Sequence, residues 1–116
     1  MLLHELKCKV CHRGEPALAE ADIINLHRQI PKWEVKRVDG FRCLERMFTF
    51  KSFPKSMQFV SGVGQLAEAQ NHHPLIVIDF DSVTLTWWTH KVKGLHLNDF
   101  IMAAKIDNLL QLFPLD

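Results

Sequence analysis

The spacing of apolar positions along this chain changes several times, and each change marks a new element. In "PALAEADIINLHRQIP", Ala19, Ile23, Leu26 and Ile30 recur at helical spacing, and Pro31, which has no amide donor for a further turn, ends the segment. "KWEVKRVDGFRCLERMFTF" then alternates. Trp33 and Val35 share one face of a first strand, Leu44, Phe48 and Phe50 share a face of a second, and Asp39-Gly40 is the hairpin turn between them. Arg42 and Arg46 interrupt the second strand, which predicts that part of it is solvated. The period returns to helical after Ser52, a good N-cap, with Pro54 tolerated in the first turn and Met57, Val60, Val63 and Ala67 forming the apolar stripe. Gly62 and Gly64 weaken this helix and are expected to permit close approach to a sheet.

"LIVIDF" and "VTLTWWTH" are two further strands joined tightly at Asp81-Ser82. In the second, Val83, Leu85 and Trp87 face one way, whereas Thr84, Thr86, Trp88 and His90 make an opposite, hydroxyl-lined face. A last helix is predicted to start at Asn98 as its cap, to carry Met102, Ile106, Leu109 and Phe113 on one stripe, and to stop at Pro114. The order is α-β-β-α-β-β-α. It implies an α+β fold, a two-layer sandwich in which three helices cover one face of a four-stranded antiparallel sheet. The other face is left for solvent, a ligand or a partner subunit. Residues 1–15 read as a loosely structured arm and 16–116 as one domain, the size expected for a single core.

Composition narrows the function. The chain is 47% apolar and 23% charged with a net charge of +1, and its mixed charges form no basic stripe, which argues against nucleic-acid binding. No apolar run approaches the roughly 20 residues of a membrane span. "MLLHELKCKVC" lacks the form of a secretory signal, and three cysteines do not make a disulfide framework, so a cytoplasmic protein is expected.

The candidate chemistry lies in "AEAQNHHPLIVIDF". Adjacent residues diverge on a helix or strand, so a shared task for His72 and His73 requires irregular backbone, which Pro74 supplies. If the third and fourth strands pair, His90 meets this corner, and three imidazoles there can exchange protons near neutral pH. Glu68 and Asp99 can orient them, Asp99 most simply by holding His90. Taken singly, each residue has a structural explanation: a polar turn, a strand end, a helix dipole. Three histidines and a carboxylate can also ligate zinc, although no pair sits at H-x-x-x-H spacing. "CKVCH", from Cys8 to His12, has the spacing of covalent haem attachment, and Cys8, Cys11, His4 and His12 could also form a small zinc site. The strand-rich remainder and the lack of an export signal argue against haem.

Taken together, Glu68, His72, His73, Pro74, Phe80, His90 and Asp99 resemble, spacing included, the signature of the pterin-4a-carbinolamine dehydratases, and "TWWTHKVKGLHLNDFIMAAKID" resembles that family's strand and closing helix. The resemblance runs from about Ile23 to Asn108. It implies the α-β-β-α-β-β-α fold, a homodimer or homotetramer, and a metal- and cofactor-free hydro-lyase. The reaction would dehydrate 4a-hydroxytetrahydrobiopterin to quinonoid dihydrobiopterin, serving an aromatic amino-acid hydroxylase such as phenylalanine hydroxylase. His72, His73 and His90 would be catalytic, with His73 as base or substrate anchor and His72 and His90 as acids. Glu68, Pro74, Phe80, Trp88 and Asp99 would shape the substrate site. Ile76 departs from the tryptophan that many members carry two residues after the proline, which puts Trp87 or Trp88 forward as replacements, only one of them able to face the site. Some members also act as dimerisation cofactors of a transcription factor. An exposed apolar patch at Leu109, Leu110 and Phe113 would signal such a binding role.

Overall fold

Alternation along the strands does produce a sheet, and its register shows which face the helices cover. In a computed structural model, residues 1–113 are described; the predicted stop at Pro114 lies outside them. The elements are α1 (Glu20–His27), β1 (Glu34–Val38), β2 (Phe41–Thr49), α2 (Phe53–Gln70), β3 (Leu75–Ile78), β4 (Ser82–Trp87) and α3 (Leu97–Leu110), with 3-10 turns at Leu3–Glu5 and His90–Val92. The four strands are antiparallel in the order β1-β2-β4-β3. Asp39 and Gly40 both have positive φ, 51° and 84°, and close the first hairpin as a two-residue turn.

Leu44 pairs with Trp87 and Phe48 with Val83, so these side chains point together toward the helices, where they are buried with Trp33, Leu85, Phe59, Phe100 and Ile106. No helix among the described residues is long and apolar enough to cross a membrane.

Several local expectations are corrected. The buried stripe of α2 is Ser56, Phe59, Val63 and Ala67, whereas Met57 is 46% exposed. The large ring of Phe59, packed on Phe48 and Phe50 at 4.9 and 5.1 Å, sets the helix rotation. Gly62 meets α3 rather than the sheet, since a Cβ there would lie 3.3 Å from Leu109 Cδ2. Part of β2 is solvated as expected, with Met47 exposed, but Arg46 itself is held in an ion pair. Its Nη1 donates to Asp107 Oδ1 at 2.6 Å, and Trp33 Nε1 donates to the same oxygen at 2.7 Å. Burial pushes the Asp107 carboxyl up, against the pull of these two donors. The cap of α3 is His96, and Asn98 lies inside the first turn.

The open sheet face is more apolar than β4 alone suggested, because β2 and β3 add Met47, Leu75 and Val77, which are exposed. Leu109, Leu110 and Phe113, by contrast, pack against the core. Residues 1–15 are anchored: Leu3 is buried, its N–H donates to Gln29 Oε1 at 2.9 Å, and Lys105 Nζ donates to His4 O at 2.9 Å.

Candidate active site

Helix α2 ends in a backbone motif that sends its two following histidines in different directions. Asn71 is left-handed (φ 52°, ψ 42°). Its N–H donates to Glu68 O at 3.2 Å, and the His72 N–H reaches back to Ala67 O at 3.1 Å. This Schellman arrangement satisfies the last helical carbonyls, and asparagine tolerates the conformation it needs. Pro74 then leads into β3. The His72 side chain is left 12% exposed and that of His73 56% exposed.

His72 stacks on Trp87, with centroids 5.5 Å apart and planes 9° from parallel. Its Nε2 donates to Asp99 Oδ1 at 2.7 Å. Asp99 is fully buried, and its Oδ2 accepts from Thr89 Oγ1 at 2.8 Å and from the His96 N–H at 3.0 Å. A carboxylate taken out of water needs such partners, and here three donors supply them. The His96 bond is half of a capping box, completed by the Asn98 N–H donating to His96 Nδ1 at 3.0 Å. The start of α3 and the setting of His72 are therefore one structure. Because a carboxylate only accepts, the His72–Asp99 bond places a proton on Nε2 and leaves Nδ1 for exchange.

His73 Nε2 donates to Glu68 Oε1 at 2.7 Å in an exposed pair. β4 ends at Trp87, so His90 is carried by the 3-10 turn beyond it rather than by the strand, held by the Thr89–Gly94 bridge. Its exposed ring meets Trp88 edge-on at 5.2 Å. His72, His73, Trp88 and His90 border one cleft of about 410 Å³, within the range of roughly 300–1,000 Å³ usual for small-molecule sites.

Other sequence expectations are redistributed. Asp99 holds His72, not His90, and Glu68 holds His73. Both carboxylates stand behind the imidazoles, and Pro74 shapes the corner without bordering the cleft. Phe80 is not brought to the cleft: it is 66% exposed in the β3–β4 turn, at the end of the hairpin away from the Leu75–Thr86 pair. Trp88 lies beside the cleft, and Trp87 lies beneath His72, stacked on it from the core side. Ile76 pairs with Leu85 and packs on the core, and it does not border the cleft. Sequence reasoning did not place Thr89, Asn98 or residues 8–11 at this cleft; it read Cys8 to His12 as a second candidate site and Asn98 as a helix cap.

No three His, Cys, Asp or Glu side chains among the described residues are grouped as metal ligands. Cys11 Sγ accepts from Asn98 Nδ2 at 3.3 Å, and the Cys8 thiol is directed at Asn98 O at 3.9 Å. Burial pushes the Cys8 thiol up from 9.0 to about 11, against the pull of Lys105. This raised value means that folding disfavours the thiolate. The Cys8 contribution to stability is therefore intact below pH 9 and is lost as pH climbs toward 11. Alkylation by iodoacetamide at pH 8 should accordingly be much slower at Cys8 in the folded than in the urea-unfolded chain. Peptide mass spectrometry checks this, and equal rates would contradict it.

Residues 16–109 match the family model described as pterin 4 alpha carbinolamine dehydratase. The chain belongs to that family. Provisionally named pterin-4-alpha-carbinolamine dehydratases of Nitrosococcus oceani and Syntrophotalea carbinolica are 46% and 45% identical over 109 residues, which is 94% of this chain and 96% and 97% of theirs. A solved structure described as a transcriptional coactivator/pterin dehydratase from Brucella melitensis superposes with a TM-score of 0.72 at 29% identity, over 80% of this chain and 97% of that one. A pterin dehydratase-like RuBisCO assembly factor of the alpha-carboxysome shares the fold, with a TM-score of 0.57 at 22% identity over 67% of this chain and 88% of that one. Glu68, His72, His73, Pro74, Phe80, His90 and Asp99 all fall inside the matched span.

Proposed function

We propose that the chain dehydrates 4a-hydroxytetrahydrobiopterin to quinonoid dihydrobiopterin and water by histidine acid/base catalysis. The observation that carries this is the convergence of His72, His73 and His90 on one cleft, two of them braced by carboxylates at 2.7 Å. In the reaction the C4a–oxygen bond breaks, the N5 lone pair forms the C4a=N5 double bond, and the N5 proton leaves. An acid must protonate the departing hydroxyl and a base must take the N5 proton, both near neutral pH. His72, as imidazolium, gives its Nδ1 proton while Asp99 stabilises the charge through Nε2, and His90 is the second acid. His73, exposed and held by Glu68, anchors the substrate and accepts the N5 proton. Trp88 offers a ring face to the flat pterin.

In this role the chain recycles tetrahydrobiopterin for an aromatic amino-acid hydroxylase such as phenylalanine hydroxylase, working in the cytoplasm as a homo-oligomer without a metal or other cofactor. A protein-binding role is the alternative, favoured by the exposed apolar side chains of Met47, Leu75 and Val77 on the open sheet face.

The test is the decay of 4a-hydroxytetrahydrobiopterin generated in situ by a hydroxylase. The wild-type chain should accelerate it, and His73→Ala should lower that acceleration by about 10²-fold with an unchanged melting temperature. A folded wild type without effect on the decay would reject the dehydratase and leave the protein-binding role.

A further inference from the structure

We propose that residues 8–11 form one wall of the pterin site and that Asn98 is the positioning residue that holds this wall in place; the proposal rests on the dehydratase reading of the cleft. These residues precede the span that matches the family model, which begins at residue 16. Yet Cys8, Lys9, Val10 and Cys11 border the same cleft as the three histidines.

Their placement is built rather than incidental. Asn98 is 2% exposed, and its amide grips both backbone groups of Lys9: Oδ1 accepts from the N–H at 2.9 Å, and Nδ2 donates to the carbonyl at 2.7 Å. A side-chain amide paired in this way imitates a neighbouring strand and fixes the direction of the segment as well as its distance. Two more bonds tie the segment to the elements that carry the histidines. Gln70 Oε1, at the end of α2, accepts from the Cys8 N–H at 2.9 Å, and Lys91 Nζ, next to His90, donates to Cys11 O at 3.2 Å. Asn98 itself adjoins Asp99, the partner of His72. Each imidazole thus shares its scaffold with the wall. A pterin seated among the histidines lies against residues 8–11.

Among the described residues no hydrogen bond or ion pair joins residues 8–11 to His72, His73 or His90, so the wall is expected to act on binding rather than on chemistry. Val10 provides a test that spares the fold, because its side chain is 75% exposed and makes no core contact. Val10→Trp crowds the cleft, whereas Asn98→Ala releases the wall. Each is expected to raise KM about tenfold and to change kcat by less than about threefold. The Kd of 7,8-dihydrobiopterin, read by quenching of tryptophan fluorescence, is expected to rise in parallel. Asn98→Asp keeps the acceptor for Lys9 but loses the donor and should fall between. KM and Kd unchanged in Val10→Trp, with an unchanged melting temperature, would overturn the wall even if Asn98→Ala folds poorly. A wild type that binds dihydrobiopterin without turnover would sink the dehydratase alone, and the Kd shift would still decide the wall. A wild type that neither binds nor turns over would overturn both.

Discussion

Replacing Asp99 by asparagine is expected to lower dehydration of 4a-hydroxytetrahydrobiopterin by about 10³-fold while the chain still folds. The reason lies in which donors can adapt. The His96 N–H is a backbone donor with fixed direction, and it points at Oδ2 from 3.0 Å. An asparagine must therefore turn its oxygen toward His96 and Thr89, which leaves its NH2 group facing His72 Nε2. Two donors cannot share that 2.7 Å contact, so His72 shifts its proton to Nδ1 and presents Nε2 as acceptor. The nitrogen left for exchange then carries the wrong proton inventory, and no carboxylate stabilises the imidazolium. Because the capping oxygen is kept, α3 loses little, and the melting temperature should fall by only a few degrees. Single-turnover decay of the substrate, together with a thermal melt, checks both halves. A rate within tenfold of wild type would show that the Asp99 contact is structural only.

The largest stability effect is expected at Phe59. The side chain is fully buried and packs against Phe48, Phe50 and Phe113, so alanine leaves a cavity where α2, α3 and the sheet meet. A loss of about 4 kcal/mol follows from such truncations, lowering the melting temperature by roughly 15 °C for a chain of this size. Met57→Ala, two residues earlier, should stay within about 0.5 kcal/mol, because its side chain is 46% exposed. Guanidinium melts of the two variants test the rotation of α2 directly. Equal losses would mean that the helix is rotated from the phase described.

That contrast also shows where the sequence was ambiguous. Met57, Val60, Val63 and Ala67 make an acceptable helical stripe, and so do Ser56, Phe59, Val63 and Ala67. Periodicity cannot choose between stripes one or two residues apart when both end on the same positions. The choice falls to the aromatic cluster supplied by β2. Arg46 is a similar case. A charged residue in a strand reads as solvated until Asp107, 61 residues later, turns out to meet it beneath α3. At the site, the His72-His73-Pro74 corner was legible because a proline is a local signal of irregular backbone; the left-handed Asn71 that completes it came only with the structure. The pairing of carboxylates was not legible. Asp99 lies nearer His90 in sequence, but its contact is with His72, 27 residues away.

By itself, then, the sequence determined the order of elements, the hairpin at Asp39-Gly40, the helix-facing sides of β2 and β4, and the presence of three histidines near one corner. These depend on periods, turn residues and caps, all of which act within a few residues. Only the tertiary structure decided which carboxylate serves which imidazole, that Trp87 backs His72, that Phe80 sits at the far end of its hairpin, and that residues 8–11 enter the cleft. Each of these joins side chains from separate elements. Such contacts are set by the register and packing of those elements, and no short-range preference in the chain encodes them.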